Sequence, residues 1–202
     1  MDTAIFGGTF NPPHRGHTLL VGAICRALGL ARCVVVPTFQ PPHKAPAAGA
    51  SPAQRLEMAA LCDWGVPVEI SDVELRRGGR SYTFDTLAEF HRRWPEDRLF
   101  FLMGSDMLLS FRQWHRYREL LGMAAFCVAP RREDDRAALQ GAADSLRAEG
   151  GTFLLVDAPP LEVSSTWLRA RLAAGEDVSD YLDPAVLRYI EERRLYRGED
   201  GK

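Results

Sequence analysis

Short apolar runs that end on Gly or Pro alternate along this chain with longer stretches of helical period, and that alternation leaves few folds open. Thr3-Ala4-Ile5-Phe6 stops at Gly7-Gly8, Cys33-Val34-Val35-Val36 at Pro37, Arg98 to Met103 at Gly104, and Ala124 to Ala129 at Pro130. Val66 to Ile70 and Thr152 to Val156 read as two more strands. Between the first two, His17 to Leu28 carries Leu20, Ile24, Ala27 and Leu28 at helical spacing and ends at Gly29. Ser51-Pro52-Ala53-Gln54 reads as a helix start, with Ser as N-cap, Pro at the first helical position and Gln closing a capping box. Leu56, Ala59, Ala60 and Asp63 follow as its inward stripe. Further helices are predicted from Thr83 to Trp94, with Thr83 as N-cap, and from Asp134 to Glu149. Two more close the chain, Ser165 to Ala174 and Asp183-Pro184 to Arg193. The pattern predicts an α/β fold: a doubly wound parallel sheet with helices on both faces and C-terminal helices, in one domain over 1–202.

Composition narrows the function classes. The 46% hydrophobic and 26% charged residues place the chain in the ordinary globular band and exclude a disordered tail. The longest run free of Asp, Glu, Lys and Arg is Thr3 to His14, 12 residues, against about 20 for a membrane-spanning helix. The Met1-Asp2 start does not read as a signal peptide, so a cytoplasmic protein without membrane partners is expected. With 25 basic and 27 acidic residues, nucleic acid is not an expected partner, since backbone binding needs a basic excess. Cys25, Cys33, Cys62 and Cys127 form no CxxC pair and read as reduced thiols, the first, second and fourth of them buried. Lys44 is the one internal lysine.

Ligands of doubly wound sheets sit beyond the carboxyl ends of the strands, so the loops there hold the candidate chemistry. After the first strand comes Gly7-Gly8-Thr9-Phe10-Asn11-Pro12-Pro13-His14-Arg15-Gly16-His17. It fits neither GxGxxG nor GxxxxGK[ST]. Two glycines allow close backbone approach, Thr9 adds a hydroxyl, and His17 lies at a helix start, where free N–H groups favour an anion. The helix dipole disfavours an imidazolium there by roughly 0.3–1 kcal/mol if exposed. A bound triphosphate favours it more strongly, so cationic or doubly hydrogen-bonding histidines are expected in a substrate complex. Taken alone, the His pair also reads as two ligands of a metal site or as part of a solvated loop.

The segment GGTFNPPHRGH resembles the (T/H)xGH nucleotidylyltransferase signature, in the form found in bacterial nicotinate-mononucleotide adenylyltransferases. The resemblance implies a Rossmann-like fold and an enzyme that joins nicotinate mononucleotide to the AMP part of ATP in NAD biosynthesis, releasing pyrophosphate. Gly7, Gly8, Thr9, Phe10, His14 and His17 would then meet ATP, with Thr9 also near the mononucleotide. Pro41-Pro42-His43-Lys44 resembles the family's PPHK loop and brings Lys44 to phosphate. Ser81-Tyr82-Thr83-Phe84-Asp85-Thr86 is similar to its SYTxDT segment, which makes Tyr82 and Thr83 nicotinate-binding candidates. Gly104-Ser105-Asp106 resembles its GxD loop, with Gly104 and Asp106 toward the adenosine. Trp114 matches a Trp that stacks on the pyridine ring, followed by the backbone of His115. Where the family reads Arg-Pro-Gly, this chain has Pro130-Arg131-Arg132-Glu133, so Arg131 or Arg132 takes the mononucleotide phosphate. Val163-Ser164-Ser165-Thr166-Trp167-Leu168-Arg169 resembles ISSTxIR and assigns Ser164, Ser165, Thr166 and Arg169 to ATP phosphates.

The sequence offers no dedicated nucleophile. The expected mechanism is therefore direct in-line attack, with His14, His17, Lys44 and Arg169 stabilising charge, Mg²⁺ arriving with ATP, and no metal ligand among the protein side chains. A monomer or homodimer is expected. The residues alone leave nicotinate against nicotinamide open. Rival readings are a nicotinamide-mononucleotide or pantetheine-phosphate adenylyltransferase of the same fold, and a non-catalytic nucleotide-binding regulator.

Overall fold

A computed structural model of the chain describes residues 1–42, 49–130, 136–158 and 163–197. Six strands form one parallel sheet: β1 (Asp2–Gly8), β2 (Arg32–Pro37), β3 (Glu69–Ile70), β4 (Arg98–Gly104), β5 (Ala125–Ala129) and β6 (Thr152–Leu155). Their spatial order is β3-β2-β1-β4-β5-β6, so the chain winds outward from β1, then returns to the middle and winds outward from β4. The expected doubly wound parallel sheet is present. Connections leave β1 and β4 in opposite directions, which places the switch point between the loops after Gly8 and Gly104.

Strand side chains alternate between two cores. Ile5, Val34, Val36, Phe101, Met103, Phe126 and Val128 enter one core, under α4 (Thr83–Arg93) and α7 (Arg136–Ala148). Ala4, Phe6, Cys33, Val35, Leu102, Cys127 and Ala129 enter the other, under α1 (Arg15–Leu28). This is why the strands read as unbroken apolar runs: both faces are covered. Cys25, Cys33 and Cys127 are buried free thiols, as their apolar contexts predict. A third core joins α2 (Pro52–Leu61) to α8 (Ser165–Ala173) and α9 (Pro184–Glu192) through Met58, Leu168, Val186 and Ile190.

Several boundaries differ from the sequence reading. β3 keeps only two of the five expected residues, since Pro67 has no N–H to give to a ladder. The short helices α3 (Val73–Arg77), α5 (Ser105–Leu109) and α6 (Tyr117–Leu120) were not foreseen. In α2 the buried face is Arg55, Met58 and Ala59, one step round from the expected stripe. The expected capping box there is present: Gln54 N–H donates to Ser51 Oγ at 3.2 Å, and Ser51 N–H to Gln54 Oε1 at 2.8 Å. Among the described residues no helix is long and apolar enough to cross a membrane.

Candidate active site

The loop between β1 and α1 is held by its carbonyl oxygens. Gly8 O accepts from the Thr38 N–H at 2.8 Å. Thr9 O accepts from Arg55 Nη1 at 2.6 Å, Asn11 O from Arg169 Nη1 at 2.8 Å and Pro12 O from Ser165 Oγ at 2.9 Å. The Asn11 side chain is fixed as well, its Oδ1 accepting from the Tyr196 hydroxyl at 2.7 Å and the Ala50 N–H at 3.3 Å. An anion is repelled by carbonyl dipoles and attracted by N–H groups. Engaging the loop's carbonyls inside the protein therefore suits it to an anionic ligand.

His14 and His17 open α1. His14 is the N-cap and His17 stands one turn along, so the two rings stack with centroids 3.7 Å apart. His14 is 5% exposed. The His14 backbone N–H donates to His17 Nδ1 at 3.2 Å. That bond makes Nδ1 an acceptor and leaves Nε2 as the nitrogen that carries the ring proton and donates. The ring is also packed edge-on against Phe10, with centroids 5.1 Å apart, and against Phe6 at 6.0 Å. His17 is thus oriented by a hydrogen bond and by packing. Phe10 itself is 1% exposed, so its ring packs inside the protein and is not the ATP contact expected of it.

Gly16 is closely packed in this arrangement. A Cβ there would stand 3.0 Å from His14 Nδ1 and 3.0 Å from Val163 Cγ1. Gly16→Ala is expected to lower turnover several-fold to about 10²-fold by shifting the His14 ring. The thermal midpoint should change little, because Ala's helix preference over Gly, at most roughly 0.5–1 kcal/mol, is offset by crowding against Val163. Measuring both on one sample checks the split; unchanged turnover would show that the ring has room.

The other predicted residues fall at neighbouring strand ends. Gly104 ends β4 and caps α5, and Asp106 is exposed in its first turn. Tyr82, not Thr83, is the N-cap of α4, and it makes no side-chain cap bond. Thr83 is the first helical residue, because its backbone already has helical geometry. The Tyr82 and His115 rings lie 4.4 Å apart, so the SYTFDT and Trp114-His115 segments meet. Trp114 is half-buried on Phe111 and Phe101. In this structure the α8 hydroxyls are engaged within the protein. Ser164 Oγ caps the Trp167 N–H at 3.2 Å, Ser165 holds Pro12 O, and Thr166 Oγ1 accepts from Arg169 Nη2 at 3.2 Å. Lys44 and the Arg131-Arg132 pair lie outside the described residues.

Arg55, Asn11 and Tyr196 form part of the site but carried no role in the sequence reading. Arg55 is 4% exposed and also donates to Phe39 O at 3.0 Å. Burial pulls its pKa down, which Tyr196 and Glu74 partly oppose. A charged residue in register with Met58 on an otherwise apolar face was the one signal available. Among the described residues no group of three or more His, Cys, Asp or Glu side chains is placed to hold a metal ion.

Comparison with known proteins shows the family. Residues 5–171 match the family model described as cytidylyltransferase-like. A protein of Shewanella sp. (strain MR-4) named a probable nicotinate-nucleotide adenylyltransferase is 35% identical, covering 97% of this chain and 99% of the relative. One of the same name from Chromobacterium violaceum is 38% identical, covering 96% and 97%. The fold is similar to that of Plasmodium falciparum nicotinic acid mononucleotide adenylyltransferase complexed with NaAD. There the TM-score is 0.79 at 21% identity, over 96% of this chain and 97% of that one.

Proposed function

Because the chain belongs to the nicotinate-nucleotide adenylyltransferases within the cytidylyltransferase-like family, we propose how its residues carry out the adenylyl transfer of NAD biosynthesis. The enzyme is a nucleotidyltransferase that takes nucleotide substrates. A phosphate oxygen of nicotinate mononucleotide attacks the α-phosphorus of ATP, forming the new P–O bond. The bond from that phosphorus to the bridging oxygen breaks, and pyrophosphate leaves with the electron pair. The attacking phosphate is already ionised at neutral pH, so no general base is needed.

The observation that carries this reading is the carbonyl-engaged loop beside an oriented His17. His14 and His17 would donate to the phosphates of ATP as charge builds, alongside Lys44. Arg169 has five N–H donors, and its bonds to Asn11 and Thr166 leave others for phosphate. Gly7, Gly8 and Thr9 would lie beside the reacting phosphate, and Gly104 and Asp106 near the adenosine. The amides at the start of α8 offer a second anion site. Tyr82, Thr83, Trp114 and His115 would hold the nicotinate end, and Arg131 or Arg132 the mononucleotide phosphate. Mg²⁺ would ride on ATP, where it neutralises phosphate charge.

Pyrophosphate release from ATP with nicotinate mononucleotide, nicotinamide mononucleotide or phosphopantetheine tests the assignment. Activity is expected with the first and at most weak activity with the others. Preference for either other acceptor would replace it with that rival, and release with none would favour a binding regulator.

A further inference from the structure

One buried carboxylate has no part in the scheme above. Glu74 is 5% exposed in α3, on the run between β3 and α4. The Thr86 hydroxyl donates to its Oε1 at 2.6 Å, and Arg77 Nη2 donates to Thr86 Oγ1 at 2.9 Å. Arg77 Nη2 is itself 3.8 Å from Oε1. The second oxygen, Oε2, is enclosed and has no well-formed hydrogen bond, while the Ser81 and Thr38 hydroxyls act on the carboxylate from the facing loops. Burial pushes the carboxyl up, and these three hydroxyls and Arg77 oppose it. A buried carboxylate with this little compensation is costly to keep for stability alone.

What it touches suggests why it stays. Thr86 and Ser81 bracket Tyr82 and Thr83 in sequence. Ser81 also ties this segment to the loop after β2: its Oγ accepts from the Phe39 N–H at 3.1 Å, and its N–H donates to Gln40 O at 2.9 Å. We infer that Glu74 is a positioning residue for the acceptor substrate: through Thr86, on the first turns of α4, it sets the backbone at Tyr82 and Thr83 that receives the mononucleotide. This rests on the substrate reading above. Glu74 acts first on the acceptor side, because its hydrogen-bond partner Thr86 lies in α4, whereas it reaches the Gly8 and Thr9 carbonyls only at second hand, through Thr38 and Arg55.

The test is steady-state kinetics with both substrates varied. Glu74→Ala is expected to raise KM for nicotinate mononucleotide about tenfold or more, as a small misplacement does, and to leave KM for ATP within about twofold. Glu74→Gln keeps an acceptor for the Thr86 hydroxyl and should lie close to the parent enzyme. Thr86→Val removes that hydroxyl without removing volume, and it carries the same prediction should Glu74→Ala not fold. Equal shifts in both KM values, no shift in either, or a Gln variant as impaired as Ala would overturn the inference. A parent enzyme inactive with nicotinate mononucleotide would overturn the substrate reading itself, and the inference with it.

Discussion

His17→Ala is expected to lower turnover by about 10²–10³, the range for losing one preorganised donor to developing charge. The ring is prepared before any substrate arrives. Nδ1 accepts the His14 N–H, and Phe6, Phe10 and His14 surround the ring. The ring orientation needed to donate from Nε2 is therefore set within the protein. Truncation also leaves the His14 N–H without that acceptor, which is comparable to losing an N-terminal cap at about 1 kcal/mol. The stability loss is thus small beside the activity loss. The rate of pyrophosphate release, read against the thermal midpoint, distinguishes them. A variant with near-normal turnover would remove His17 from the chemistry.

Arg55→Met is expected to destabilise the protein by about 2–4 kcal/mol and to impair turnover as well. Two effects oppose each other. Removing a buried guanidinium relieves its desolvation, and Met fills much of the volume. Yet Thr9 O and Phe39 O remain, and each loses its donor at roughly 1–3 kcal/mol. The second effect wins because two charge-assisted bonds vanish while both acceptors stay part-buried. Thr9 O would then be free to turn toward the ligand side. Urea unfolding with an unchanged slope and a lower midpoint, together with slower turnover, is the expected pair of results. A loss under about 0.5 kcal/mol would show that water replaces the guanidinium at both carbonyls.

These two residues mark the limit of what could be read from the chain. The strands and the longer helices are legible because their signals are local: apolar runs ended by Gly or Pro, and the Ser51 to Gln54 box. The strand-end glycines and the His pair were legible because their spacing is local too. The clamp around the loop is not. Thr9 meets Arg55 across 46 residues, Asn11 meets Arg169 across 158, and Asn11 meets Tyr196 across 185. No periodicity encodes such contacts. Arg169 and Ser165, which the resemblance assigns to phosphate, brace the loop, with Arg169 retaining donors for a ligand. The α2 face lies one step round from the expected stripe because it carries Arg55, a residue type that is mostly exposed and so gives no apolar signal.

The central claim is a single direct transfer from ATP to nicotinate mononucleotide with no enzyme-bound adenylyl group. ATP made chiral by sulfur at the α-phosphorus tests it in one reaction. The account predicts a nicotinate dinucleotide whose α-phosphorus has inverted configuration, the mark of one in-line displacement. Retained configuration would mean two displacements through a covalent intermediate and would contradict the account.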